Sequence, residues 1–392
     1  MLFRSMMLSF GSLALIGVLW VLYGYAIAFA NDGTGTFIGI DGVIGIDTAN
    51  LGLNGLLATD GTFPGTSYPT LAFAAFQATF AIITVALISG SIADRAKFGA
   101  WLVFAGIWAT VVYFPVASWV FNFTLEDGKV VDGGWIAMMG VIDFAGGTAV
   151  HINAGAAALA LAIVLGKRIG FAKGVDKPHN VPLVLLGAGL LWFGWFGFNA
   201  GSELAADGIA SLAFINTIAA PAAGVLGWLL VERIKEGKAT SVGAASGAVA
   251  GLVAITPACA ALTPMWAIVL GLIAGAICAL AIELKFKFGF DDSLDVVGIH
   301  LVGGLVGTIY IGLFGTGVGA FLGFGFEQLG KQLIGSLVVL VFAFVTSYVI
   351  GWLIQKTIGF RVTSTDEIAG VDLVLHGETA YSEADPRWSW RG

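Results

Sequence analysis

Long apolar stretches recur along the whole chain and limit what it can fold into. Ten of them are each roughly 18–25 residues long, the length that an α-helix needs to cross a bilayer. They lie near 6–28, 70–92, 99–121, 140–165, 182–204, 207–232, 240–259, 265–284, 294–317 and 332–355. Only 11% of the 392 residues are charged, which is too few to cover a water-facing surface. We therefore predict an all-α polytopic membrane protein with ten transmembrane helices.

The first apolar stretch resembles a secretion signal in one respect, because Arg4 precedes it and an Ala-Phe-Ala run lies at its end. The apolar core of a signal peptide is roughly 7–15 residues long, whereas this stretch is long enough to span a bilayer. We predict a helix that the protein retains.

The basic residues indicate how the helices are oriented. With the N-terminus inside, the cytoplasmic side receives all but two of the 18 Lys and Arg residues, and the outer side keeps only Lys129 and Lys331. Loops rich in Lys and Arg stay in the cytoplasm, so this bias is typical of inner-membrane proteins. The outer segment 30–69 has no basic residue and is predicted to be a loop. We expect a transmembrane domain over 1–358 and a cytoplasmic tail over 359–392, with the protein in the cytoplasmic membrane.

Two of the four histidines lie inside predicted helices at nearly the same depth. His151 follows the outer end of its segment by about 11 residues, which places it about 17 Å deep. His300 follows the inner end of an antiparallel segment by about 6 residues, or about 20 Å from the outside in a 30 Å core. A single histidine in a helix is usually a packing residue, but a pair at one level predicts a polar site in a pore, as an inverted repeat produces.

A metal site is the alternative interpretation of the histidine pair. No third histidine, cysteine or suitably placed carboxylate joins it in the sequence, so we predict no metal and no cofactor. Cys259 and Cys278 lie in apolar stretches and indicate neither a disulfide framework nor a metal cluster. The sequence also shows no nucleophile–base pair or phosphate-binding loop, so an enzyme is not expected.

Aromatic residues form a second group of candidates. Phe76 and Phe80 are four residues apart and share one helix face, and Phe198 precedes Ser202 in the segment LLWFGWFGFNAGSEL. Aromatic faces attract cations, and a nearby hydroxyl accepts a hydrogen bond from an N–H cation. Lipid-facing aromatic residues are the alternative interpretation, and the sequence pattern alone does not decide between the two.

Several motifs, in order along nearly the whole chain, resemble those of the ammonium transporter family (Amt/Mep, related to Rh proteins). They are FQATFAIITVALISGSIADRAKF, DFAGGTAVHINAG, GKRIGF, PHNVPLV, GWFGFNAGSEL, AGLVAITPAC, DVVGIH and HGETAY. The resemblance implies an inverted-repeat membrane fold that takes up ammonium. It also implies a homotrimer in the lipid bilayer, a tail that works with a PII-type signal protein, and no nucleic-acid partner.

The resemblance also implies roles for individual residues. Phe76 and Ser202 match the outer recruitment site, and Asp143 matches the aspartate that orients the backbone near it. Phe80 and Phe198 match the phenyl pair that gates the pore. His151 and His300 match the twin histidines of the pore, and Trp195 and Thr256 match positions near them.

The sequence departs from the family pattern at two places. The tryptophan of the outer site falls on Phe121, which we take as its replacement, with Trp119 two residues earlier and Trp135 beyond the next loop as the alternatives. Family members have eleven helices, and the first segment here resembles their second. We therefore expect the family's first helix to be missing from this sequence, either because the reading frame starts further upstream or because the product is truncated. An in-frame apolar segment upstream of Met1 would restore the helix in the first case.

Two other functions stay open at this point. One is an ammonium sensor or receptor coupled to a PII-type protein, in which binding at the tail matters more than flux. The other is a neutral gas channel of the Rh type. A cation-binding Ser202 beside aromatic rings favours ammonium uptake over a neutral gas.

Overall fold

Apolar helices dominate the computed structural model, which describes residues 3–30, 35–57, 61–63, 66–126, 129–171 and 178–378. We number them in chain order: α1 Ser5–Ala28, α2 Thr70–Ile92, α3 Phe98–Phe121, α4 Gly147–Leu165, α5 Val181–Glu203, α6 Gly208–Glu236, α7 Ser241–Ile255, α8 Pro264–Phe288, α9 Val297–Phe314 and α10 Glu327–Thr357. Among the described residues, nine helices are long and apolar enough to cross a membrane, and α7 is a shorter apolar helix of 15 residues. The ten helices coincide with the ten predicted segments, so the polytopic helical fold is confirmed.

Several helix boundaries differ from the prediction by three or more residues, and two of the differences have a local cause. The fourth segment was expected from residue 140, but α4 begins at Gly147, because Gly146 adopts a left-handed conformation with φ 108° that ends the preceding irregular stretch. The seventh segment was expected to reach residue 259, but α7 ends at Ile255. Pro257 follows closely and has no N–H to continue the helical hydrogen-bond pattern.

The loops at one end of the bundle contain two β-hairpins that the sequence did not predict. Strands β1 Phe37–Ile40 and β2 Ile44–Asp47 pair antiparallel, as do β3 Phe123–Glu126 and β4 Lys129–Gly133. The prediction of a plain loop over 30–69 is therefore wrong for 37–47. The reason is a local one, because Asp-Gly between two β-branched runs favours a hairpin turn even where glycine and threonine dominate the composition.

Helices α4 and α9, which carry the two candidate histidines, pack in unusually close contact. A Cβ atom at Gly155 would lie 2.5 Å from the backbone nitrogen of Leu301, and one at Gly304 would lie 3.1 Å from the Cβ of His151. Small residues allow such approach between helices in lipid. Both helices begin with a π-helical turn, at Gly147–Ile152 and Val297–Leu301, and each turn contains one of the histidines. Turns of this kind often mark functional sites.

The end of the chain returns to the bundle through two short helices, α11 Ser364–Ala369 and α12 Val371–His376. Arg361 donates to the carbonyl of Leu165 at 2.7 Å and pairs with Glu367 at 2.8 Å. Glu367 in turn accepts a hydrogen bond from the backbone N–H of Ile169 at 2.7 Å. The first part of the tail is thus fixed to the loop that follows α4. We call this end of the molecule the tail end.

Candidate functional site: an aromatic vestibule and a buried histidine pair

A cavity of about 510 Å3, which we call the vestibule, lies at the end of the bundle opposite the tail end. Its wall contains every residue predicted for the outer site, together with one of the two predicted gate residues. These are Phe76 and Phe80 of α2, Phe121 at the end of α3, Asp143 before α4, and Ser202 at the end of α5. Residues far apart in the sequence meet here because the helices that carry them begin or end at the same level.

Ser202 is arranged to accept hydrogen bonds from a ligand. Its hydroxyl donates its only proton to the backbone carbonyl of Phe198 at 2.8 Å, four residues earlier in the same helix. A hydroxyl has one donor and two acceptor lone pairs, so the lone pairs of Ser202 stay available on the vestibule side. The side chain therefore favours a ligand that carries N–H or O–H donors.

Asp143 has a structural task. One carboxylate oxygen accepts from the backbone N–H groups of Gly146 and Gly147 at 2.9 and 2.6 Å. The other accepts from Thr148 and Ala149 at 2.8 and 3.0 Å. These are the unpaired donors of the first turn of α4, which a carboxylate caps especially well. Asp143 thereby fixes the start of the helix that carries His151.

Phenyl rings close the inner end of the vestibule. The rings of Phe80 and Phe198 stack with centroids 4.0 Å apart and planes 17° apart. Phe76 and Phe121 pack edge-on against Phe80, with centroids at 5.0 and 5.8 Å. Stacked phenyl rings present only carbon and hydrogen to their surroundings, so they offer no polar atom that could replace an ion's hydration.

The structure favours Phe121 over the two tryptophans as the aromatic side chain near α3 that faces the vestibule. Phe121 is one of the wall residues. Trp119 instead donates its indole N–H to the carbonyl of Val43 in the β1–β2 turn, and its ring packs on Trp135 at 5.7 Å. The two tryptophans therefore hold the outer hairpin in place.

His151 and His300 meet beyond the gate. Their Nδ1 atoms lie 3.2 Å apart, within hydrogen-bonding distance, and the rings are 5.2 Å apart between centroids with planes 24° apart. Both side chains are buried. Because one Nδ1 must donate and the other accept, one imidazole is the Nδ1–H tautomer and its partner presents a bare Nδ1. Each neutral ring carries one N–H, and the Nδ1–H of one ring donates to the bare Nδ1 of the other.

Trp195 supports the histidine pair from the other side. Its ring stacks on His151 with centroids 5.5 Å and planes 17° apart, and its indole N–H donates to the hydroxyl of Thr256 at 2.8 Å. The Nε2 atom of His151 is buried and has no hydrogen-bond partner among the described residues. Within the same residues, no three His, Cys, Asp or Glu side chains come together as metal ligands.

Most residues of the vestibule wall were not predicted from the sequence, among them Gln77, Phe123 and Val130. Gln77 directly follows Phe76, and its buried Oε1 has no hydrogen-bond partner in the described part of the chain. Phe123 and Val130 belong to the β3–β4 hairpin, which the sequence presented as a polar loop. A hairpin signal was present in the short alternation of apolar and polar residues around Glu-Asp-Gly.

The bundle and the site define the class of protein, a polytopic helical membrane protein with a transporter fold. The chain belongs to the Ammonium Transporter Family, whose sequence model matches residues 2–381.

Individual relatives agree with the family model over most of the chain. The ammonium transporter of Mycobacterium tuberculosis (strain ATCC 25618 / H37Rv) is 52% identical, covering 97% of this chain and 83% of that protein. The crystal structure of Saccharomyces cerevisiae Mep2 is similar with a TM-score of 0.79 and 33% identity, covering 90% of this chain and 78% of the other. A solved sensor Amt protein gives a TM-score of 0.81 at 28% identity, covering 92% and 87%.

Proposed function

We propose that this protein takes up ammonium across the cytoplasmic membrane by binding NH4+ in the vestibule and conducting NH3 past the histidine pair. The observation that carries this proposal is a continuous file of rings from the vestibule inward. Phe80 stacks on Phe198 at 4.0 Å, and Phe198 lies 5.7 Å from Trp195. Trp195 lies 5.5 Å from His151, which contacts His300 at 5.2 Å. The named transporter relatives support the choice of ammonium as the substrate.

Recognition in the vestibule uses aromatic rings and a hydroxyl, beside the two carboxylates of the wall, Asp143 and Glu203. The faces of Phe76 and Phe121 attract a cation electrostatically, with about 0.5–2 kcal/mol for each favourable contact. Ser202 accepts one N–H of the ion, because its own proton is already used within α5. The carboxylate of Asp143 takes part indirectly, since both oxygens are held by the first turn of α4.

The gate separates the ion from neutral ammonia. Moving a bare cation between stacked phenyl rings costs far more than moving NH3, because an apolar constriction replaces none of the lost hydration. We therefore place deprotonation at the outer face of the Phe80–Phe198 pair, where NH4+ gives its proton to water of the vestibule and NH3 alone enters the constriction. The same barrier excludes K+, which has no proton to leave behind.

The histidine pair gives the dry path limited polarity. The two imidazoles are neutral and share one proton, so they offer NH3 a hydrogen-bond donor or acceptor without a full charge. A full charge at this depth would bind ammonium too tightly for release. The neutral pair therefore favours passage of a small polar molecule.

We further propose that residues 359–392 act as a cytoplasmic regulatory tail that works with a PII-type signal protein, and that the protein is a homotrimer with its C-terminus inside. The contacts of Arg361 and Glu367 with the loop after α4 support a link between the tail and the membrane domain 1–358. Only Trp195 and Asn199 are buried in the stretch Val181–Ala200 of α5, so this helix offers surface for packing against other subunits.

A sensor function is the second candidate, and the likeness to a sensor Amt protein favours it. The higher identity to named transporters favours uptake instead. An Rh-type gas channel is a weaker candidate, because the vestibule faces its ligand with aromatic rings and the lone pairs of Ser202, which suit a cation.

Growth on low ammonium separates these functions. In a strain that lacks its own ammonium transporters, we expect the wild-type protein to restore growth at acidic pH, where free NH3 is scarce. We expect His151→Ala combined with His300→Ala to lose this rescue, because the pore loses its polar centre. A matched control is Cys278→Ala, which removes a buried side chain near α9 without touching the pair.

Failure of the wild-type protein to rescue growth, with normal amounts in the membrane, would contradict uptake and favour the sensor. Full rescue by the double histidine variant, with K+ still excluded, would contradict the role of the pair.

A further inference from the structure

The β3–β4 hairpin contains an irregularity where it reaches the vestibule. Phe123 pairs with Gly133 and Thr124 with Asp132, but the next pair is Leu125 with Val130. Val131 is therefore an extra residue in β4, a β-bulge. Bulges change the direction in which the neighbouring side chains point and occur often beside functional sites.

The bulge separates two neighbouring valines. Val130 is half-buried and lines the vestibule, as Phe123 does from the opposite strand. Val131 is 43% exposed. The hairpin thus presents Phe123 and Val130 to the cavity and Val131 to the surroundings. In a regular ladder Leu125 would pair with Val131, and Val131 would share the face of Phe123; the bulge puts Val130 there instead.

Backbone and side-chain contacts fix the hairpin over the cavity. The N–H of Gly134 donates to the carbonyl of Asn122 at 2.7 Å, and the side-chain amide of Asn122 donates to Ala30 at 2.8 Å. The N–H of Trp135 donates to Gly42 of the other hairpin at 3.1 Å. A Cβ atom at Gly134 would lie 2.0 Å from the carbonyl oxygen of Ser118, so the strand passes directly against the end of α3. The hairpin is a fixed part of the vestibule wall.

We propose that Phe123 is a further cation-contacting aromatic residue and that Val130 beside it sets the size limit of the vestibule. This inference rests on the proposed uptake of ammonium. The position near α3 that faces the vestibule carries the phenyl ring of Phe121, which attracts a cation less strongly than an indole ring does. A second phenyl ring on the hairpin offsets this weaker attraction. The side chain of Val130 fills space that an N-methyl group would need.

Half-saturating concentrations in proteoliposomes test the aromatic role. Phe123→Leu keeps an apolar side chain without a ring, and we expect it to raise the half-saturating ammonium concentration about fivefold with little change in maximal flux. Phe123→Trp restores a stronger ring, and we expect a value at or below that of the wild type. Val131→Ala is the matched control, because it truncates the adjacent exposed side of the same hairpin, and we expect wild-type behaviour.

The size limit is tested with methylammonium in the same vesicles. We expect Val130→Ala to improve the half-saturating concentration for methylammonium relative to ammonium by at least about threefold. Equal half-saturating ammonium concentrations for Phe123→Leu and Val131→Ala would overturn the aromatic role. If the leucine variant fails to fold, a half-saturating concentration for Phe123→Trp above that of the wild type would overturn it. An unchanged methylammonium ratio would overturn the size limit. Absence of ammonium flux in the wild type would instead overturn the proposed function itself.

Discussion

At the vestibule end, most side chains that face the cavity are apolar or uncharged, and the two carboxylates of the wall belong to Glu203 and to Asp143, which four backbone N–H groups hold. At the tail end, by contrast, charged side chains lie in the interior. Arg95 is fully buried beside Asp291, and Arg168 binds the same carboxylate through two N–H groups at 2.9 and 3.0 Å. Lys285 pairs with Asp295 at 2.5 Å.

The difference follows from what each end has to do. In the uptake that we propose, a carboxylate deep in a dry vestibule would bind the cation through a strong Coulomb attraction and release it slowly, and the four backbone N–H groups that hold Asp143 weaken this attraction. Neutral rings and lone pairs attract the ion weakly and let it go. The loops at the tail end bind no ion in the proposed uptake. Buried ion pairs and hydrogen bonds there join the loops that follow α2 and α4 to the loop that precedes α9.

Asp291 and Asp292 show how local this control of charge is. Burial alone would raise the pKa of Asp291, but hydrogen bonds from Arg168 and the charge of Arg95 lower it below its ordinary value. Burial, followed by the charge of Asp295, raises the pKa of Asp292 to about 7. Burial also lowers the pKa of Arg95 to about 10. The pKa values of these two adjacent carboxyl groups are therefore shifted in opposite directions.

The largest expected effect at the tail end comes from breaking the shared carboxylate. Asp291→Ala removes the carboxylate that Arg168 binds at 2.9 and 3.0 Å and that lies 4.0 Å from the buried guanidinium of Arg95, and breaking a buried ion pair typically costs about 3–5 kcal/mol. We expect a loss of this order in the free energy of unfolding, measured by denaturant titration in detergent. A loss below about 1 kcal/mol would mean that the charges at the tail end do not hold the fold.

An intermediate effect on the free energy of unfolding is expected from the titration of Asp292. The pKa of this group is higher in the folded protein than its ordinary value of 3.8, so between about pH 4 and pH 7 the unfolded chain binds fewer protons than the folded one. Stability contributed by this group is therefore present at low pH and falls as the pH rises to about 7, by up to about 1.4 kcal/mol per pH unit.

Asp292→Asn should remove this slope. We expect the variant to gain stability relative to the wild type between pH 5 and pH 7, measured as the difference between their unfolding free energies at each pH. Parallel curves for the two proteins would show that Asp292 does not titrate in this window.

The smallest effect is expected from an ion pair at the surface. Lys235 and Glu283 form a contact in which both side chains are well exposed, at 38% and 50%. Exposed pairs contribute about 0–1 kcal/mol, because solvent screens them. We expect Glu283→Gln to change the unfolding free energy by less than about 0.5 kcal/mol, which makes it the control for Asp291→Ala. A loss as large as that of the buried pair would remove the distinction between buried and exposed charge.

The sequence predicted the helices well because a helix must be long and apolar to cross a bilayer, and hydropathy along the sequence reports both properties. Boundaries set by local contacts were less accessible. The start of α4 depends on Asp143 and on the left-handed Gly146, which the apolar pattern does not register. The two hairpins were missed because their short strands lie among glycine and polar residues.

The site was predictable in part. Depth along antiparallel helices brought His151 and His300 to one level, and the family resemblance added the phenyl gate. The choice among Phe121, Trp119 and Trp135 required packing information, since only the structure shows Trp119 bound to the carbonyl of Val43. The orientation of Phe123 and Val130 toward the vestibule depends on a β-bulge. The bulge is a property of the strand register, and no sequence pattern marked it.

The most direct test of the central claim is a flux measurement on wild-type protein in proteoliposomes, with ammonium supplied against a large excess of K+. The proposed uptake, through an aromatic vestibule and a constriction of stacked phenyl rings, predicts saturable ammonium flux that K+ neither replaces nor blocks, and loss of this flux when His151 and His300 are both alanine. Flux of K+ comparable to that of ammonium, or no ammonium flux at all in the wild type, would contradict the account.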